Sequence, residues 1–192
     1  MSESLITKKA LSSGLKNLMK HTGFDKITIA GITKQCGLNR QTFYYHFQDK
    51  YELLNWICYN EVILPLSENL TFDTWGDRIL TMLTTMKNES YFYINTLKSS
   101  GANEFEQYLL SFAKGFFAEI IEKLDLNHSV SKENVDFIAQ FYSFGVVGVI
   151  VSWAKTEMTA TPESLTEKVK ALVNDSKMFA VKRYLDGIST ST

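Results

Sequence analysis

The sequence predicts an all-α protein of about nine helices, a small three-helix domain carrying a helix-turn-helix followed by a larger helical domain. Three observations lead there. Apolar residues recur at three-and-four spacing along nearly the whole chain, the mark of helices with one buried face. Only 2 Pro and 10 Gly interrupt 192 residues that are 45% hydrophobic, so few positions can break a helix. The stretch 27–50, ITIAGITKQCGLNRQTFYYHFQDK, reads as two short helices around a tight turn. The expected division is 1–48, 49–187 and a disordered tail, 188–192.

The first helix is expected from about Ser4 to Thr22, with Leu11, Leu15 and Leu18 on one face and Gly23 ending it. Lys8, Lys9 and Lys16 read as a solvated charged face on this helix. Thr28 then caps a second helix, its hydroxyl accepting a free backbone N–H, while Ile27 and Ile32 staple the entry. Ile29, Ile32 and Cys36 mark its buried face, and Gly37 supplies the left-handed turn that ends it. Asn39 caps the third helix, Arg40 to about Phe47, with Leu38 and Phe43 as its staple. Phe43 and Phe47 sit four apart and face inward, which leaves Arg40, Gln41, Tyr44 and Tyr45 on the outer side.

That outer side suits DNA. Arginine bridges guanine O6 and N7, and glutamine bridges adenine N6 and N7, in a major groove that admits a helix. Thr28, Thr42, Tyr44 and Lys50 offer hydroxyls and a charge for phosphates, beside the free N–H groups at two helix starts. Spacing alone does not separate this from a helical hairpin whose polar face is merely hydrated.

The same residues resemble the DNA-binding signature of the TetR family of bacterial transcriptional regulators, with Thr42, Phe43, Tyr44, His46, Phe47, Asp49, Lys50 and Leu53 all matching. The resemblance implies base contacts near Arg40 and Gln41 and phosphate contacts from Thr28, Thr42, Tyr44, His46 and Lys50, with Asn39 and Tyr45 on the same surface. It also implies a homodimer on a palindromic operator, and a small-molecule effector in the C-terminal domain that controls DNA affinity. Two positions depart from the family pattern. Asn39 replaces a common serine and caps equally well, whereas Gly31 replaces an acidic residue, removes half of a capping box and costs the second helix about 1 kcal/mol.

The fourth helix begins near Gln48 or Asp49 and carries Leu53, Leu54, Trp56, Ile57 and Tyr59 toward Pro65, which is expected to end or kink it. Two helices follow between Thr74 and Lys98, broken near Lys87-Asn88, with Trp75, Ile79, Leu83 and Met86 on the first. After the loop SSGAN a long helix runs from about Asn103 to Leu124. Aromatic residues crowd this region and read first as plain core. Because the family keeps a cavity here, Trp75, Met86, Phe92, Tyr93, Phe105, Tyr108, Phe112, Phe116 and Tyr142 become the candidate effector pocket. The segments YFYINTLKSSGANEFEQYLLSF and YHFQDKYELLNWI further resemble a branch of the family linked to dihydroxyacetone kinase operons. That resemblance implies an alternative, an activator of such an operon working through a kinase-like protein partner.

Ser131 caps the next helix, stapled by Val130 and Val135 and running to about Lys155. Its segment from Phe137 to Ala154 has no charge and reaches the lower limit of a membrane span. Gln140, Ser143 and Ser152 interrupt it and charged helices flank it, so burial within protein is expected, with no membrane. Thr161 and Pro162 start the last helix, whose apolar face is Leu165, Val169, Leu172 and Val173. The family resemblance makes these four, with Gly145, Gly148, Val149 and Ser152, the candidate dimer interface.

The net charge of −1 divides unevenly: residues 1–50 carry +5 and the remainder −6, so the basic end is the end with the motif. Cys36 and Cys58 read as buried free thiols, which suits a reducing cytoplasm. His21, His46 and His128 lie far apart, so no metal is expected, and MSESLITKKA has no apolar core of a secretion signal. There is no phosphate loop, nucleophile elbow or paired histidine and carboxylate, and Glu104, Glu106, Glu119 and Glu122 read as a solvated helix face. Neither an enzyme nor a cofactor is expected.

Overall fold

The structure, a computed structural model, describes residues 3–71, 73–125 and 130–189, with side chains as far as Asp175. All regular elements among these residues are helical: α1 (Glu3–Met19), α2 (Ile29–Gln35), α3 (Arg40–His46), α4 (Lys50–Cys58), α5 (Leu64–Ser67), α6 (Trp75–Asn88), α7 (Ser90–Leu97), α8 (Ala102–Leu124), α9 (Lys132–Lys155) and α10 (Pro162–Ser189). A π turn (Tyr59–Ile63) joins α4 and α5 into one rod, and a 3-10 turn (Phe24–Lys26) precedes α2.

Local caps set most of these boundaries. Thr28 Oγ1 accepts from Gly31 N at 3.1 Å to start α2. The helix ends where Gly37 takes φ +67°, with Leu38 N donating to Thr33 O at 2.9 Å and Gly37 N to Lys34 O at 3.3 Å, a Schellman closure. Asn39 Oδ1 accepts from Thr42 N at 2.8 Å to start α3. Asp49 accepts from Tyr51 N and Glu52 N to cap α4, and Glu52 Oε2 accepts from Gln48 N, the residue before the cap, at 2.5 Å. Gly31 has no such positional need: a Cβ there would meet Thr28 Oγ1 at 3.4 Å and Leu18 Cδ1 at 3.7 Å, ordinary contacts. Gly31→Ala is therefore expected to raise stability by about 0.5–1 kcal/mol, read as a higher urea midpoint at unchanged m-value.

Several boundaries differ from expectation. α1 stops at Met19, because the chain must swing Phe24, which is fully buried, into the core through the 3-10 turn. Pro65 does not stop its helix; the π turn before it carries Leu64 N back to Tyr59 O, and the coil continues to Ser67. α10 runs through Ser189, so 188 and 189 are helical, while 190–192 of the expected tail lie outside the described residues. His128 lies outside them as well.

One apolar cluster runs through the molecule. Leu11, Leu15, Phe24, Ile32 and Phe43 fill the space between α1, α2 and α3; Leu53, Leu54 and Ile57 on α4 continue it to Leu83, Met86, Phe92, Tyr93 and Phe105. α8 and α9 pack along one another, tied by Lys114–Asp136 and Lys155–Glu106 ion pairs at 2.8 Å each. Glu104, exposed as expected, also bonds Asn55 of α4, and the half-buried Glu106 pairs with Lys155, so both join helices in addition to facing solvent. α9 is not buried all round: 39% of its apolar window is covered, and Phe137, Phe141 and Phe144 stand in the open.

Candidate nucleic-acid interface

α3 is a single seven-residue helix with two opposite environments. Phe43 and Phe47 are sealed in the core, Phe47 with its ring 6.0 Å from Trp56. On the other side Arg40, Gln41, Tyr44 and Tyr45 are exposed, Tyr45 at 84%. Among the described residues the exposed Arg40 guanidinium reaches the Tyr44 hydroxyl, at 3.5 Å, which leaves it available to a groove. Tyr45 stacks edge-on against His46 at 5.0 Å. Thr28 and Asn39 are exposed at the two helix starts, with Thr42 and His46 half-buried between. Eight of the nine expected DNA-facing residues thus lie exposed or half-buried on α3 or at the starts of α2 and α3.

Lys50 is the exception. Its ammonium donates to the carbonyls of Phe24, Asp25 and Ile27 at 3.0, 2.9 and 3.0 Å and lies 4.7 Å from the Phe24 ring centre. All three N–H donors are committed inside the chain, where they close the turn leading into α2. Lys50→Ala is therefore expected to lower stability by about 1–2 kcal/mol and to leave the salt dependence of DNA binding unchanged. A fall of about one unit in the salt slope would place the ammonium on a phosphate instead.

The turn that Lys50 closes is gripped from the other side as well. Asn95 on α7 accepts from Phe24 N at 2.9 Å and donates to the carbonyls of Met19 and Thr22. Ser100, between α7 and α8, donates through its hydroxyl to Asp25 Oδ1 at 2.5 Å, which holds the Asp25 carboxyl below its ordinary value, and its Oγ lies 3.1 Å from the Tyr51 hydroxyl. A Cβ on Gly101 would strike Leu54 Cδ2 at 2.6 Å, so only glycine lets this loop lie so close to α4. Sequence reasoning missed these contacts. The available signal was a lone amide, Asn95, in a helix rich in aromatic and aliphatic residues.

Lys16 departs from expectation too. It is 8% exposed and pairs with Glu61 at 2.5 Å and with Glu89, tying α1 to the π turn and to the start of α7. Lys8 lies over the Phe47 and Trp56 rings, 5.4 and 5.9 Å from their centres. Cys36 is half-buried and Cys58 fully buried, and burial pushes both thiols up.

In the C-terminal part a shallow apolar crevice with about 50 Å³ of enclosed space lies between α5, α6, α8 and α9. Of the expected pocket residues, Trp75, Phe112 and Phe116 line it, joined by Leu66, Leu70, Ile79, Met82, Leu109, Ala113, Phe117, Val146, Val147 and Ile150. Met86, Phe92, Tyr93 and Phe105 are instead sealed at 0% exposure as core, and Tyr108 sits on the surface against Tyr59. Tyr142 packs on Phe117 behind the lining. The candidate dimer residues divide similarly. Gly145, Gly148, Val149, Ser152 and Leu172 are exposed, whereas Leu165 and Val169 are buried and Val173 packs against its own subunit's core, because that side of α10 lies on α6.

Comparison with known proteins agrees with this geometry. Residues 13–57 match the family described as bacterial regulatory proteins, tetR family, and residues 73–175 match the transcriptional regulator C-terminal region. A curated relative, the HTH-type dhaKLM operon transcriptional activator DhaS of Lactococcus lactis subsp. lactis (strain IL1403), is 31% identical over 93 residues, 48% of this chain and 50% of that one. The match therefore spans about half the length of the curated relative. Among solved structures, dihydroxyacetone kinase operon activator DhaS superposes with a TM-score of 0.71 at 21% identity over 90% of this chain and 96% of that one. NalD of Pseudomonas aeruginosa, described as the secondary repressor of the MexAB-OprM multidrug efflux pump, gives 0.59 at 18% identity over 87% and 94%. FadR of Bacillus subtilis, solved with stearoyl-CoA, gives 0.60 at 16% identity over 85% and 96%. With both its reading head and more than half its length matched, the chain belongs to the tetR family of bacterial transcriptional regulators.

Proposed function

We propose that the protein is a cytoplasmic, dimeric, sequence-specific DNA-binding regulator of transcription, with Arg40 and Gln41 reading base edges and Thr28, Asn39, Thr42, Tyr44, Tyr45 and His46 holding the backbone. The observation that carries this is the division of α3, one side locked by Phe43 and Phe47 and the other offering arginine, glutamine and two tyrosines to a groove. A small molecule in the crevice between α5, α6, α8 and α9 controls the affinity. Its apolar lining favours an uncharged, apolar effector, and Asn95, Ser100 and Lys50 carry a displacement of α7 or α4 to the turn before α2.

Fluorescence anisotropy on unselected duplex DNA tests the DNA-binding half. Affinity should fall steeply with salt, by a log–log slope of about −0.9 for each phosphate neutralised. Absence of binding at low ionic strength contradicts the proposal.

A second reading is favoured by the description of the L. lactis relative as an activator of the dhaKLM operon. In it the protein activates a dihydroxyacetone kinase-type operon and receives its signal from a kinase-like protein partner that docks on the acidic C-terminal part. Transcription in vitro from an operator selected out of a random duplex pool separates the two readings: activation dependent on an added protein supports the second, and relief of repression by an apolar compound supports the first.

A further inference from the structure

α7 lies in the larger part of the expected division, yet its polar ties run to α1 and to the turn before α2. At its start Glu89 accepts from Lys16 of α1. Lys20 of α1 lies 5.5 Å from the Tyr91 ring centre, and the Tyr93 hydroxyl donates at 3.3 Å to Glu61, the other carboxylate on Lys16. Asn95 commits both ends of its amide to the turn: Oδ1 accepts from Phe24 N at 2.9 Å, and Nδ2 donates to Thr22 O at 3.0 Å and to Met19 O at 3.2 Å. Past the end of α7, Ser100 donates to Asp25 Oδ1 through its hydroxyl and its backbone N–H. The contacts of α7 with α8 and α9 are of another kind. They are apolar, with the Tyr93 and Phe105 rings 6.1 Å apart. The one polar link on that side among the described residues joins Lys98 to Glu157, both exposed, where water readily replaces the pair. The chain crosses from one set of partners to the other within two residues. Lys87, near the end of α6, donates to Met158 O at 2.6 Å in the corner between α9 and α10, whereas Glu89 is held by α1.

We infer that α7 forms one cooperative body with the reading head, α1 to α3, and that Glu89 and Asn95 are positioning residues which set the head's angle to the rest of the subunit. Hydrogen bonds and ion pairs are directional and are lost over a short displacement, whereas apolar faces slide past one another with most of their contact kept, the shear mode of domain motion. The seam that yields is therefore the one between α7 and the pair α8 and α9. The joint is Asn88, the last residue of α6, beside Glu89. Trp75, Ile79 and Met82 of α6 line the crevice, so a displacement of α6 arrives at Asn88 and Glu89 hands it to Lys16 and α1. The consequence for DNA rests on the dimeric regulator proposed above; the body itself does not, and it moves the mechanical boundary of the head to include a helix 40 residues beyond the expected one.

The test is native-state hydrogen exchange on the full chain, read helix by helix. Ile32→Val, at a fully buried position of the head, should speed exchange in α1 to α3 and in α7 by one common factor, roughly two- to tenfold, and leave α8 and α9 unchanged. Val147→Ala, buried on α9, should speed α8 and α9 and leave α7 unchanged. Glu89→Gln, alone and together with Asn95→Ala, should release α7, so that Ile32→Val no longer reaches it, while circular dichroism stays the same. An α7 that follows Val147→Ala, or helices that all answer both substitutions alike, overturns the inference. On DNA, selection from a random duplex pool with Glu89→Gln and Asn95→Ala together should return the half-site bases of the unaltered chain with a broadened distance between half-sites. An unchanged distance overturns the positioning role. A pool that the unaltered chain itself leaves unenriched contradicts the DNA reading instead, and the exchange pattern still decides where α7 belongs.

Discussion

Replacing Lys16 by alanine is expected to lower the unfolding free energy by about 2–3 kcal/mol and the melting temperature by roughly 5–10 °C. The ammonium sits between Glu61 and Glu89, 5.1 Å from the centre of the Phe92 ring, and Glu61 also accepts from the Tyr93 hydroxyl at 3.3 Å. Removing it strands two carboxylates that then repel one another. The loss stays below the 3–5 kcal/mol of a fully buried pair because the side chains of Glu61 and Glu89 are 33% and 36% exposed, so water recovers part of their solvation. Lys9→Ala, on the exposed side of the same helix, should change stability by no more than about 0.5 kcal/mol.

A pH dependence accompanies this network. Burial pulls the Lys16 pKa down, but Glu61 and Glu89 outweigh it and hold the pKa above its ordinary 10.5. Burial pushes the Tyr93 phenol well above its ordinary 10.0. Both folded-state values are raised, so both contributions are complete below the unfolded values and are lost as pH rises through the folded ones. The melting temperature should therefore fall above about pH 10, and the part of that fall owed to Lys16 should be missing in Lys16→Ala.

The second large effect falls on DNA. Arg40→Ala should remove about 1–3 kcal/mol of discrimination at one base pair in each half-site, roughly 5- to 150-fold, and twice that free energy on a symmetric operator. Gln41→Ala should do the same at a different position. Neither change should disturb the fold, because Arg40 and Gln41 are both exposed. Binding-site profiles from each variant check this: a profile identical to that of the unaltered protein removes the residue from the reading set.

The caps at Thr28, Asn39 and Ser131 were legible in the sequence because each depends on residues three positions apart. The outward set on α3 was legible for a related reason: Phe43 and Phe47 fix which way the helix faces, and Arg40, Gln41, Tyr44 and Tyr45 follow from its period. Lys16 and Lys50 were not. Their partners lie 45 and 73 residues away for Lys16 and 23 to 26 away for Lys50, and a lysine looks the same in sequence whether it meets a carboxylate, a carbonyl or water. The crevice escaped because aromatic content marks burial, not a gap. Phe92 and Phe105 fill space that Phe112 and Phe116 leave open, and only the rotation of α7 and α8 distinguishes them. The uncharged run of α9 reads in sequence as burial all round, whereas Phe137, Phe141 and Phe144 are exposed, and nothing within the run itself marks which residues face outward.

Selection of bound duplexes from a random pool tests the reading role of α3 most directly. The account predicts enrichment of an inverted repeat whose half-sites are centred one DNA turn, about 10 base pairs, or a multiple of it apart, with Arg40→Ala relaxing one position symmetrically in both halves. A pool that emerges unenriched, or an enriched site whose profile is indifferent to Arg40 and Gln41 alike, would contradict it.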